Sequence, residues 1–162
     1  MQPVAILQLL VLLAVANGAP VIAKKAMGGA LAQPIDGGAR FIDGRPLFGP
    51  SKTVRGLLIS IAATAAAAPL VGIGWSIGAL IGAAAMAGDL FSSFVKRRLD
   101  RPPSSRATGL DQIPEALFPL LACQPLLSLT ALDIIVVLAV FFGGEVVLSR
   151  VLYRFGLRDQ PY

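Results

Sequence analysis

A carboxylate, a hydroxyl and two cations share one stripe near the end of a long apolar run: Asp89, Ser93, Lys96 and Arg97 are spaced i, i+4, i+7 and i+8 on a helix. Such a face can hold Mg²⁺ and the phosphates that Mg²⁺ binds. A lone intramembrane Asp costs about 2.5 to 3.5 kcal/mol at a helix centre and less near its end, so it normally faces a polar cavity. Asp89 is thus the leading metal ligand; the plain alternative pairs it with Lys96 or Arg55. Asp111, at the start of another apolar run, can reach the same cavity as a second ligand or serve as an ordinary N-cap.

A second group of polar residues reads "GPSKTVRG", with Pro50 and Ser51 ahead of an Ala-rich helix and Ser51 expected as its N-cap. The unpaired N–H groups of a helix start, joined by Lys52, Thr53 and Arg55, make an anion site suited to phosphate. It is no Walker A loop, since Pro50 follows Gly49. The plain alternative has Lys52 and Arg55 anchoring the helix at the headgroups. The chain has no His and a single Cys, Cys123, which is expected in the core. A disulfide framework, Cys/His zinc and any histidine acid, base or relay are excluded.

The elements that must position these groups are membrane helices. The chain has 162 residues, 56% hydrophobic and 14% charged. Its charge-free runs are helix-like rather than alternating, so the expected fold is all-α: a polytopic membrane protein of about five transmembrane helices, in a single integral membrane domain. The run from Gly56 to Gly88 would be about 50 Å long as one helix, against about 30 Å of hydrocarbon, so two spans broken at "PLVGIG" fit better. The expected spans are 3–17, 54–70, 73–94, 113–129 and 132–153, with cytosolic loops 18–53 and 95–112.

All 14 Lys and Arg fall in three stretches, Lys24 to Arg55, Lys96 to Arg106 and Arg150 to Arg158. Five spans put all three on one side. By the positive-inside rule that side is the cytosol, with the N-terminus outside and the C-terminus inside. The N-terminal run is read as the first span and not as a signal peptide, because no Lys or Arg precedes it and two follow. Gly74, Gly78 and Gly82 should let another helix, the Ala-rich second, approach the third. Trp75 reads as an interfacial anchor, and Glu145 either faces the cavity or, the preferred reading, pairs with Arg150 or Arg154. Asp36 and Asp43 sit in "PIDGG" and "FIDGR", where turns are the default.

Taken together, "ANGAPVIAKK", "PIDGG", "LFGPSKTVRG", "GDLFSSFVKRR", "GLDQ" and "FGLRDQPY" resemble, in order and spacing, the CDP-archaeol synthase family, related to the CDP-diacylglycerol synthases. The resemblance covers essentially the whole chain. It implies a membrane-embedded cytidylyltransferase that moves CMP from CTP to a lipid phosphate with Mg²⁺, using cytosolic loops. Carried over by position, it makes Lys52, Asp89, Lys96 and Asp111 catalytic, with Asp89 and Asp111 on the metal. Asn17, Pro20, Asp36, Ser51, Thr53, Arg55, Ser93 and Arg97 become substrate-binding. Two positions depart from the pattern: the family often has Trp where Val54 stands, and Asp-Gln-Leu-Asp where Asp111-Gln112 is followed by Ile113-Pro114-Glu115, which leaves open whether Glu115, one position later, substitutes for the second Asp as a metal ligand. The expected partners are CTP, a membrane lipid phosphate and the bilayer, with no nucleic acid; a homo-oligomer is compatible with the sequence. The rival readings are an anion carrier or channel and a non-catalytic lipid-binding protein using its basic loops on anionic headgroups.

Overall fold

Five helices follow one another in the chain: α1 (Pro3–Met27), α2 (Val54–Ala67), α3 (Trp75–Arg98), α4 (Gln112–Leu127) and α5 (Ala131–Arg154). The structure, a computed structural model, describes residues 1–102, 105, 107 and 109–154, with the side chains of 148–154 left aside. No β-strand occurs among the described residues; two isolated bridges, Pro34 with Thr53 and Arg40 with Pro46, tie the first long loop together. The expected motif "FGLRDQPY" and the Arg150 and Arg154 partners of Glu145 lie outside the described residues or side chains.

The break expected within Gly56–Gly88 is present. After α2 the chain tightens into a 3₁₀ turn, Ala68–Val71, and Gly72 takes a left-handed φ of +80° that only glycine adopts without strain. The side chain of Gln8 on α1 donates to the Val71 carbonyl at 2.6 Å, satisfying the turn from a neighbouring helix. α3 then returns antiparallel to α2. An added Cβ at Gly78 would collide with Ala68 and Thr64, and one at Gly82 would come within 2.9 Å of Ile61 Cα. These two glycines bring the backbones together as the spacing suggests; Gly74 instead caps α3.

The expected first span ended at residue 17, yet α1 runs on to Met27 through Pro20. A proline removes the N–H that would bond the carbonyl four residues back, here Ala16. That carbonyl accepts from the Ser60 hydroxyl of α2 at 2.8 Å. The lost bond is thus replaced by one between helices, and loop 18–53 shrinks to residues 28–53. α3 likewise extends to Arg98, four residues beyond the expected end, so Lys96 and Arg97 are helical.

Leu9, Leu12 and Leu13 of α1, Ile81 of α3, Leu120 of α4 and Val137 of α5 form one fully buried apolar cluster with Cys123. α1, the α2 unit Val54–Val71 and α3 are long and apolar enough to cross a membrane. α4, with 16 residues, spans about 24 Å, short of the ~30 Å of hydrocarbon. Trp75 stands 70% exposed at the start of α3.

Candidate active site

The first loop delivers Lys52. Ile35 N donates to the Lys52 carbonyl at 2.8 Å, Val54 N donates to the Gln33 carbonyl at 3.1 Å, and Lys52 N donates to the Gly49 carbonyl at 3.2 Å. Asp36 holds the same loop from below, accepting from the backbone N–H groups of Gly38, Phe48 and Gly49 at 3.0, 2.9 and 3.1 Å. Burial raises the Asp36 pKa, but these donors outweigh it and hold the carboxyl below its ordinary 3.8. The expected turn roles of Asp36 and Asp43 are met, since Asp43 accepts from Arg45 N at 3.1 Å.

The cap of α2 differs from expectation. Thr53, not Ser51, occupies the N-cap, its hydroxyl accepting from Gly56 N at 3.2 Å. Ser51 is exposed two residues earlier. The extended backbone that pairs Thr53 with Pro34 places its side chain, rather than that of Ser51, over the first turn.

Lys52 then reaches Asp89 on α3, its ammonium 2.5 and 2.6 Å from the two carboxylate oxygens. Asp89 therefore pairs neither with Lys96 nor with Arg55. Lys96 pairs with Asp111 at 2.6 Å, and Asp111 also accepts from Ala107 N at 2.9 Å. Two lysine–carboxylate pairs thus stand one after the other along α3. Both side chains of the deeper pair are 20% exposed, so it is open to solvent without being fully solvated.

What sets their spacing was invisible in the motif pattern. Gly88 lies so close to the start of α4 that an added Cβ would collide with the Pro114 carbonyl. That contact brings the buried Glu115 to Asp89, and the two carboxyls interact directly, with Lys52 and Glu145 also near Glu115. Ser92 reinforces it, its hydroxyl lying 2.6 Å from the Leu110 carbonyl just before α4. Two signals in the sequence point to Glu115: it stands one position after the second Asp of the family pattern, and four residues after Asp111, on the same helix face.

The other expected residues separate into groups. Ser93 is buried one turn from Asp89, and Arg97 one turn further, 5% exposed. Arg55 is turned to the end of α1, donating to the Gly28 and Ala30 carbonyls at 2.7 and 2.9 Å. Asn17 bonds within α1 to the Leu13 carbonyl at 3.0 Å, and Pro20 lies against Gly56. Lys52, Asp89, Lys96 and Asp111 are the members brought together around the α2, α3 and α4 ends; Arg55 and Asn17 have structural hydrogen bonds instead.

For a divalent cation the donor set is carboxylate only: Asp89 on α3, with Asp111 just before α4 and Glu115 in its first turn. No group of three or more His, Cys, Asp or Glu among the described residues forms a ready cage. The carboxylate oxygens of Asp89 with Asp111 or Glu115 are nonetheless of the donor type that Mg²⁺ takes, one or two carboxylates with water and phosphate oxygens completing the shell.

The arrangement has relatives. Residues 69–162 match the family model described as CarS-like, CDP-archaeol synthase. The chain is 37% identical over 158 residues to a CDP-archaeol synthase of Thermococcus onnurineus, covering 91% of this chain and 89% of that one. It is 33% identical over 154 residues to one of Sulfurisphaera tokodaii, with the same coverages. A match to the Hyperthermus butylicus protein of that name, at 40% identity, spans 59% of that protein's length. A solved intramembrane enzyme for archaeal membrane lipid biosynthesis superimposes with a TM-score of 0.71 at 29% identity, over 85% of this chain and 90% of that one. A helical membrane protein with paired lysines and carboxylates at one end, matched at this level over nearly its whole length, belongs to the CDP-archaeol synthase family and with it to the CTP-dependent nucleotidyltransferases.

Proposed function

We propose that the chain transfers CMP from CTP to the phosphate of a membrane lipid of the archaeol type, releasing pyrophosphate, with Mg²⁺ as cofactor and the site on the cytosolic side. The observation that carries this is the convergence of Lys52, Asp89, Lys96 and Asp111 from three chain segments onto one end of the bundle. Every described Lys and Arg up to Arg101 lies toward that end or in its loops, which supports a cytosolic placement with the N-terminus outside.

In this mechanism an oxygen of the lipid phosphate attacks the α-phosphorus of CTP, forming a new P–O bond as the bond from that phosphorus to the β-phosphate oxygen breaks. The electron pair leaves with pyrophosphate. A phosphate monoester is already largely ionised at pH 7, so no general base is needed and the absence of histidine is no obstacle. The protein's work is to hold two anions together and offset their charge. Lys52, poised at the deeper pair, approaches the reacting phosphates; Lys96 serves the same end nearer the surface. Asp89, with Asp111 or Glu115, would hold Mg²⁺, which when bound offsets charge on the triphosphate and leaving group. Thr53 and Asp36 hold the Lys52 loop in place, and Pro20 sets the seat of α1 against α2.

An anion carrier would need a polar path onward to the far side. The outer end is instead closed by a knot in which Asp133, 0% exposed, accepts from Gln2 N and Thr130 N at 2.8 and 3.0 Å. The test is to incubate purified protein with labelled CTP, Mg²⁺ and a panel of lipid phosphates. Formation of a labelled CDP-lipid, strongest with the dialkyl ether acceptor, is expected. Phosphate-lipid-independent CTP binding with no labelled lipid from any acceptor would end the reading.

A further inference from the structure

The first loop carries a second structure besides the segment that presents Lys52. Residues 39–47 form a tight hairpin, in which Phe41 N donates to the Arg45 carbonyl, Leu47 N to the Ala39 carbonyl and Gly44 N to the Phe41 carbonyl, each at 2.9 Å. This hairpin is fastened to the last turns of α3. Phe41 stands edge-on to Phe94 with ring centroids 5.2 Å apart, and the Arg98 guanidinium lies 4.9 and 4.7 Å from the centres of the two rings. Arg98 Nε is 3.1 Å from an Asp43 carboxylate oxygen, and Nη2 donates to the Pro46 carbonyl at 2.6 Å. Arg45 binds back, donating to the Arg98 carbonyl and pairing with Asp100.

The side of α3 covered in this way is not the side of the site. Phe94 and Arg98 lie about 140° and about 180° around the helix from Asp89. They continue a row with Ala87 and Phe91 at i, i+4, i+7 and i+11, whose first two members are exposed. On a helix long and apolar enough to cross a membrane, an exposed apolar row faces lipid. Depth agrees, since Phe94 stands about 28 Å along α3 from Trp75, close to the ~30 Å of hydrocarbon. The hairpin is therefore clamped to the outward flank of a span where the hydrocarbon ends. Its tip there is Ile42, 94% exposed, with Phe41 39% exposed beside it. Arg45 and Arg98 stand behind the tip with Arg40, which is exposed and pairs with no carboxylate among the described residues.

We infer that the 39–47 hairpin is an interfacial wedge: Ile42 enters the acyl boundary of an anionic bilayer surface while Arg40 meets the headgroup phosphates. An apolar tip backed by cations is the pattern of a segment that lies in the bilayer interface, burying apolar area and leaving its cations at the phosphates. A soluble protein partner does not suit the depth, because the tip stands level with the end of the hydrocarbon. The same loop presents Lys52 at its other end, so the bilayer surface holds one end of a strap whose other end enters the site. The wedge is independent of which lipid the site takes.

The test uses the full chain in lipid nanodiscs, with a nitroxide attached to Ile42→Cys; Cys123 is buried, and wild-type protein treated in the same way shows whether it stays unlabelled. Oxygen, which concentrates among acyl chains, should collide with the label more often than a water-soluble nickel chelate does. Ile42 is almost wholly exposed, so the substitution leaves the fold intact. Amide exchange supplies the second measurement. Protection at Phe41 and Gly44 should be about fivefold greater in nanodiscs of mixed phosphatidylglycerol and phosphatidylcholine than in phosphatidylcholine alone, the gain from one cation at an anionic surface, and Arg40→Gln should remove that gain. A label more open to nickel than to oxygen puts the tip in water and overturns the wedge. A label closed to both shows protein over the tip, a second copy of the chain included, and overturns it as well. Equal protection in the two lipids, or a gain that Arg40→Gln retains, overturns the headgroup contact given to Arg40.

Discussion

The two ends of the bundle, outer and inner in the proposed orientation, treat polar groups in opposite ways. At the outer end, Asp133 is fully buried and each of its oxygens is used as an acceptor: Oδ1 by Gln2 N, Oδ2 by the N–H and hydroxyl of Thr130. Gln2 closes the loop between α4 and α5 through the Ser128 carbonyl, and Gln8 closes the turn after α2. At the inner end, carboxylates on α3 and α4 are met by the ammonium groups of Lys52 and Lys96, and Glu115 is set against Asp89. The outer network is complete and neutral donors fill it. The inner network rests chiefly on charge pairs, with few neutral donors, and leaves carboxylates facing one another, an arrangement that an anion and a divalent cation can rearrange. Polar groups that finish a fold and polar groups that await substrates are thus distinguishable by how fully they are satisfied.

The strongest way to break that comparison is to remove an inner cation. Lys52→Met should lower the initial rate of CDP-lipid formation by about a hundredfold to a thousandfold, the range for deleting a donor that meets developing charge. Lys52→Arg should recover part of the rate. A Lys52→Met rate within about fivefold of wild type, in protein that elutes as folded, would remove Lys52 from the reaction.

A smaller effect tests what spaces the inner pairs. Gly88→Ala places a methyl group against the Pro114 carbonyl and must push α4 from α3, at about 1–3 kcal/mol for overpacking a tight contact. The comparison predicts that turnover falls with stability here, because the Asp89–Glu115 and Lys96–Asp111 distances depend on this approach. A variant with lowered Tm and full activity would show that the helix spacing is not what sets the site.

Much of this was legible locally. The helix break at Pro69–Gly74 followed from a run too long for the hydrocarbon, and the glycine spacing of α3 anticipated the close contact at Gly78 and Gly82. The stripe Asp89, Ser93, Lys96 and Arg97 is a property of one helix and needed no tertiary information. What escaped depended on other elements. α1 crosses Pro20 because Ser60, forty residues on, satisfies the freed carbonyl. Asp89 chose Lys52 over Lys96 because the first loop, pinned at Gln33 and Ile35, carries the lysine to it. Glu115 was legible only as a residue that could stand in for the family's second Asp, because its seat beside Asp89 arises from the Gly88 contact, and Ser51 lost the cap to Thr53 because of a bridge to Pro34.

The smallest effect is on the loop that presents Lys52. Asp36 has a folded pKa below its ordinary 3.8, so its contribution to the folded state is present above that value and is lost as pH falls through the folded pKa. Amide exchange at Phe48 and Gly49 should therefore accelerate, after correction for intrinsic rates, in the acid window below 3.8 as pH falls through the folded pKa, and Asp36→Asn should abolish that acid step. Protection at these two amides that is indifferent to pH across that window would show the clamp is not electrostatic.

The contrast between the ends is tested most directly by measuring CDP-lipid formation and Tm side by side for the isosteric pair Asp89→Asn and Asp133→Asn. Asp89→Asn should lose about a hundredfold or more in turnover with little change in Tm, since the amide also relieves the carboxyl contact with Glu115. Asp133→Asn must set an NH₂ against a buried donor, so it should lose about 1–3 kcal/mol of stability while folded protein keeps its turnover. Full activity in Asp89→Asn, or an Asp133→Asn protein that is stable but inactive, would contradict the assignment of chemistry to one end and architecture to the other.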